Sequence, residues 1–236
     1  MPSGPIVLEV AVDDVASAAG AARAGAHRIE LCAALALDGL TPEPAVLGEA
    51  LARTDAPVFA MVRPRPGDFT YDPREVDAMV RAVERARTLG AAGIVTGCLT
   101  AARSVDRSAM ATLLAAAAPL PVTFHRAFDL TADPFAALDV LVELGCARVL
   151  TAGGAKTAAD GAATLRALVA RAADRLVVVA GGGVRADNLP AVLASGVREV
   201  HAGPRVPAGH DGPRTDLGAV AALVAGLAQR RMGDGG

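Results

Sequence analysis

The chain of 236 residues contains no tryptophan, one tyrosine (Tyr71) and five phenylalanines, so aromatic residues make up only 3% of it. Ala, Val and Leu must therefore fill any core, and the hydrophobic share of 53% is ample for one. Lysine occurs once, as Lys156, and no basic run appears. With a formal net charge of −2, the sequence lacks the positive stripe that nucleic-acid binding needs. Three cysteines (Cys32, Cys98, Cys146) are too few and odd in number for a disulfide scaffold, and free thiols are expected. The start has no basic segment followed by an apolar stretch, and the longest uncharged run, 108–124, contains Pro119 and Pro121. Neither a secretory signal nor a spanning helix is expected. The reading is a cytoplasmic protein with no nucleic-acid or membrane partner.

What the chain does have is repetition. Eight short β-type runs recur, at 6–12, 28–32, 58–63, 93–97, 122–125, 148–152, 176–181 and 199–203. Ala- and Leu-rich segments with helical spacing lie between them, such as DPREVDAMVRAVERARTLG and DPFAALDVLVELG. Both open on Asp-Pro, where Asp can cap and Pro can fill the first turn. Both close on a glycine suited to a left-handed cap, Gly90 and Gly145. Strand–helix alternation repeated eight times predicts a single (β/α)₈ TIM barrel over 1–236, with the barrel at about 6–228 and a frayed C-terminal tail. A doubly wound open sheet is the weaker alternative, because the dinucleotide fingerprint after the first run is missing.

Active sites of such barrels lie at the C-terminal strand ends, and side chains alternate faces along a strand. If Leu8, Val10 and Val12 meet the helix layer, Glu9 points into the lumen. The same parity sends Glu30 and Cys32 inward opposite Ile29 and Leu31, Arg63 opposite Val62, and Thr123 and His125 opposite Val122 and Phe124. His201 is inward opposite Val200. The candidate catalytic residues are therefore Glu9, Glu30, Arg63 and His125. Burying them together costs several kcal/mol per ion unless each is paired. Glu9 and Glu30 can divide acid and base roles, Arg63 can hold an anionic group, and His125 can shuttle protons near neutrality.

AGGGVRADN follows the seventh run and HAGPR the eighth, where these barrels often hold phosphate. Gly181, Gly182, Gly183, Arg185 and His201 form a candidate anion site, with a following helix start adding its dipole. Cys32 and Cys98 end the second and fourth runs, and two thiolates suit Cu(I). Cys146 precedes the sixth run and reads as structural. Lys156 lies beyond the sixth run in a loop, which argues against a Schiff-base role.

Stretches 8–42, MVRPRPGDFTYD (61–72), VTFHRAFDLT (122–131), RVLTAGGA (148–155) and AGGGVRADN followed by HAG resemble the copper homeostasis protein CutC family, in order, from about residue 7 to 204. The resemblance implies a cytoplasmic (β/α)₈ barrel, often a homodimer, with a copper role and with Cys32 as the cysteine of the family motif. Cys98 departs from the family pattern. Two functions follow as expectations: a copper homeostasis protein binding Cu(I), or a metal-independent lyase, isomerase or hydrolase acting on a small phosphorylated or sugar-like anion.

Overall fold

A computed structural model describes residues 5–206 and 214–233, with side chains through 229. Eight parallel strands close into one barrel in sequence order: β1 (Val7–Val12), β2 (Arg28–Leu31), β3 (Val58–Met61), β4 (Gly93–Thr96), β5 (Val122–Phe124), β6 (Arg148–Thr151), β7 (Val177–Gly181) and β8 (Glu199–Ala202). β8 returns to β1 with His201 beside Glu9, which completes the ring. The helices α1 (Val15–Arg23), α2 (Pro44–Arg53), α3 (Pro73–Leu89), α4 (Arg107–Ala117), α5 (Pro134–Leu144), α6 (Ala162–Ala172), α7 (Leu189–Leu193) and α8 (Leu217–Gly233) form the outer layer. None of the described helices is long and apolar enough to cross a membrane.

The periodic segments fold for the expected local reasons. Asp72 and Glu75 form a reciprocal capping box at the start of α3, and Asp133 accepts two backbone N–H groups at the start of α5. Gly90 and Gly145 end these helices in the left-handed region. Outward strand residues such as Leu8, Val10, Ile29, Leu31, Ile94, Phe124 and Val200 join one apolar cluster with the helices. Inward positions hold a smaller group, Cys32, Phe59, Met61 and Val95, among charged neighbours.

Most strands stop one or two residues short of the runs read from sequence, so Cys32, Arg63 and His125 stand just past the ladders, at the mouth. There the chain departs into loops that the periodicity does not show. They include 3₁₀ turns at Leu35–Leu37 and Arg126–Leu130 and a two-stranded ribbon, Arg205–Val206 with Arg214–Thr215. The backbone stays helical over 229–233, where the sequence reading expects fraying, and 234–236 lie outside the described residues.

Candidate active site

A chain of alternating charges climbs the lumen. At its base, Arg148 Nε lies 3.2 Å from Glu199 Oε2, and Arg28 bridges Glu199 to Glu9. The guanidinium groups of Arg28 and Arg148 lie 4.8 and 5.2 Å from the centre of the Phe59 ring. Glu9, fully buried, places its other oxygen 2.7 Å from His201 Nδ1, and His201 Nε2 lies 3.8 Å from Glu30. Every ion along this chain has an opposite neighbour, which offsets the penalty of burying it.

The two carboxylates are pushed apart. Burial alone would raise Glu9, but the hydrogen bond and charge of His201, together with Arg28, outweigh it and hold the carboxyl at about 2. Burial dominates at Glu30, and with the nearby Glu9 charge it lifts that carboxyl to about 6 despite His201. Burial disfavours protonated His201, yet Glu30 and Glu9 together raise it. An ionised partner beside a carboxyl that titrates near neutrality is the arrangement that separates acid–base roles. One Glu30 oxygen receives the Cys32 thiol at 3.5 Å, while Oε1 is buried with no hydrogen-bond partner among the described residues.

Above this chain a cavity of about 790 Å³ opens at the strand ends. Glu30, Arg63, His125 and His201 line it together with Gly182, Gly183, Arg126 and Arg185. Such a volume suits a small molecule. The profile of the CutC family matches residues 6–205. A CutC family protein of Caulobacter vibrioides is 43% identical over 221 residues, covering 93% of this chain and 90% of the relative. The human copper homeostasis protein cutC homolog is 44% identical over 200 residues, covering 84% and 73% of the two chains. The solved CutC structure from Streptococcus agalactiae superposes with a TM-score of 0.79 at 33% identity, covering 83% of this chain and 97% of that one.

The chain belongs to the CutC family.

Within this CutC barrel the remaining sequence-derived residues divide. Arg63 lines the cavity, but its guanidinium is spent on backbone: Nη1 donates to the carbonyls of Leu37 and Gly39 at 2.8 and 3.3 Å, and Nη2 to Gly67 at 3.1 Å. It ties the loop after β2 to the loop after β3 and rests 4.8 Å from the centre of the Phe69 ring. This explains the RPRPGDF motif: Gly67 supplies the carbonyl, Phe69 the platform, and Arg65 braces the same loop through Glu75. Arg63 therefore positions the two loops, and its Nε is buried without a partner among the described residues.

His125 also departs from its expectation. Burial, reinforced by the Arg63 charge, pushes it down to about 3, so it does not titrate near neutrality. His201 sits with Glu9 and Glu30 in the acid–base chain and is also the register neighbour of Gly181. Gly181 ends β7 and does not line the cavity; a methyl there would lie 2.5 Å from Leu150 and 3.2 Å from His201. Gly182 and Gly183, both at positive φ, form the turn beside Arg126 and Arg185. The helix that follows is a five-residue turn beginning only at Leu189, so no helix dipole is aimed into the loop.

The thiols do not pair. Cys32, one residue past β2, belongs to the lumen cluster, and Cys98, two residues past β4, to the helix-layer cluster. Burial and the adjacent Glu30 push the Cys32 thiol well above its ordinary value, and burial lifts Cys98 to about 12. The residues therefore do not fit a two-thiolate Cu(I) site. Glu9, Glu30 and His201 do bring ligand atoms within 4.8 Å of one another. That set is rich in oxygen and suits harder ions than Cu(I), and both Glu9 oxygens are already engaged by Arg28 and His201. Lys156 is exposed in the loop after β6 and does not line the cavity.

Sequence reasoning missed Arg28, Arg148 and Glu199, which begin strands and so escaped attention to strand ends. Arg28 shares the parity of Glu30 two positions on, and that signal was available. Arg126, in the turn after β5, pairs with Asp129 at 2.9 Å and stands over Gly182.

Proposed function

We propose that this CutC family member is an enzyme that performs acid–base chemistry on a small anionic substrate at the barrel mouth. The observation that carries the reading is Glu30: a buried carboxyl, lifted to about 6, with an unpartnered oxygen in the cavity next to His201. A buried carboxyl oxygen without a hydrogen bond costs stability, and a substrate proton is a partner that satisfies it. Gly182, Gly183, Arg126 and Arg185, which line the same cavity, form the surface for the anionic end. Arg63 sets the two loops that frame it. By family resemblance the proposal places the enzyme in the cytoplasm as a homodimer. The net charge of −2 supports a small ligand over nucleic acid.

Copper enters through the family, whose curated human relative carries copper homeostasis in its name. A Cu(I) site built on Cys32 and Cys98 has no geometric support here. Replacing Cys98 with serine is expected to leave Cu(I) uptake, measured against a competing chelator, unchanged.

The test of the enzyme reading needs no known substrate. Carbon-13 NMR of the Glu30 carboxyl should show a midpoint near pH 6, and inorganic phosphate should bind saturably in the wild type but at least tenfold more weakly in Arg126→Ala. A Glu30 midpoint in the ordinary carboxylate range, or no saturable phosphate binding, would sink the reading.

A further inference from the structure

The cavity holds a second unsatisfied group besides Glu30. His125 Nδ1 accepts the Ala127 backbone N–H at 3.3 Å. A backbone N–H can only donate, so Nδ1 carries the lone pair and the imidazole proton sits on Nε2. Nε2 is buried and has no partner among the described residues. The ring is held from two sides: Phe69 lies 4.9 Å away between centroids, and a methyl at Gly97 would come within 2.7 Å of it. The donor is therefore fixed in place. Arg63, with its Nε also unpartnered, lines the same wall.

One cavity thus presents a fixed neutral N–H donor, a guanidinium and a carboxyl that lacks a proton donor. A buried polar atom without a hydrogen bond costs stability, so the fitting ligand has an oxygen acceptor for the N–H next to a proton for the carboxylate. Resting on the acid–base reading above, we propose that the substrate is a phosphorylated hydroxy-carbonyl compound and that the reaction is proton transfer at the carbon beside the carbonyl. The C–H bond breaks, its proton goes to Glu30 Oε1, and its electron pair forms the C=C bond of an enediolate. The carbonyl oxygen takes the negative charge and is held by His125 Nε2–H, with the Arg63 cation behind it. Glu30 then returns the proton to the neighbouring carbon, and an enediolate hydroxyl proton passes between the two oxygens, so aldose and ketose interconvert without an oxidant or reductant. A neutral imidazole is the better donor here, because it polarises the carbonyl without demanding a proton back. Covalent catalysis through the Cys32 thiol beside Glu30 fits less well, since that thiol is 1% exposed and does not line the cavity.

The experiment compares three probes by calorimetry on the full chain: inorganic phosphate, glycerol 3-phosphate and phosphoglycolohydroxamate, a planar enediolate mimic. The wild type should bind the hydroxamate at least tenfold more tightly than glycerol 3-phosphate. His125→Ala and Glu30→Gln should each erase that preference while holding phosphate affinity within twofold, which also shows that the fold and the anionic end survive. His125→Gln, which keeps an N–H donor, should retain part of the preference. Equal affinity for hydroxamate and glycerol 3-phosphate overturns the enediolate assignment and leaves the anion-binding enzyme reading standing. Full preference in His125→Ala overturns the role of His125. Failure of all three probes to bind overturns both proposals.

Discussion

At the scale of single residues, Glu9 and Glu30 are the same amino acid on neighbouring strands with opposite effects on stability. Glu30 sits above the ordinary carboxyl value of 4.5, at about 6. The folded state therefore holds that proton more tightly than the unfolded chain, and its contribution is full below pH 4.5 and lost as pH rises through 6. Glu30→Gln is expected to be more stable than the wild type at pH 7.5 by about 1–2 kcal/mol, with the gap closing below pH 4.5 in urea titrations. Glu9, held at about 2, stabilises above pH 4.5 and loses that contribution as pH falls toward 2. Glu9→Gln should cost about 3–5 kcal/mol at pH 7.5, since it leaves Arg28 and His201 short of a buried counter-charge. Two substitutions of the same sign would contradict this division.

At the scale of elements, the site depends on loops more than on strands. The loop after β2 is closed by a bridge between Ala33 and Leu40 and carries Ala34 and Asp38 at φ of 49° and 64°. Side chains rarely adopt that region, and holding them there costs about 1–3 kcal/mol each. Gly39 lies at φ 83°, where a methyl would meet the Cys32 sulfur at 3.0 Å. Arg63 offsets this strain by clamping the carbonyls of Leu37 and Gly39. Arg63→Lys keeps the charge but loses the planar fork. Amide exchange over 33–40 and around Gly67 should then rise at least tenfold while the barrel strands stay protected. Unchanged exchange in those loops would argue that Arg63 serves a ligand and not the loops.

At the scale of the whole molecule, the barrel wall separates a lumen of charges from an apolar helix layer, and each thiol is sealed on its own side. Cys32, Cys98 and Cys146 are 1%, 1% and 2% exposed. Burial pushes all three upward, Cys98 and Cys146 to about 12. Because the thiolate is the reactive form, iodoacetamide should label them together and only at the rate of global unfolding, as read by mass spectrometry across a urea series. Early labelling of Cys32 alone would mean that the mouth opens without unfolding the barrel. Much of this was legible from the chain alone. Eight β-type runs, Asp-Pro helix starts and glycine stops specify the barrel, because each is a local backbone preference. Strand parity sends Glu9, Glu30, Cys32 and His201 inward, because alternation is a property of the backbone. The tertiary structure alone decided what those side chains do. Arg63 became a loop clamp because carbonyls from two separate loops converge on it. Burial together with Arg63 took His125 far from neutrality. Cys98 left the Cys32 side because the chain past β4 packs it among the helices. Partner identity and desolvation are set by residues far apart in the chain and meet only when the ring closes at β8 and β1. Sequence determined which groups enter the lumen, and closure of the barrel decided which remain charged, which are spent on structure and which await a ligand.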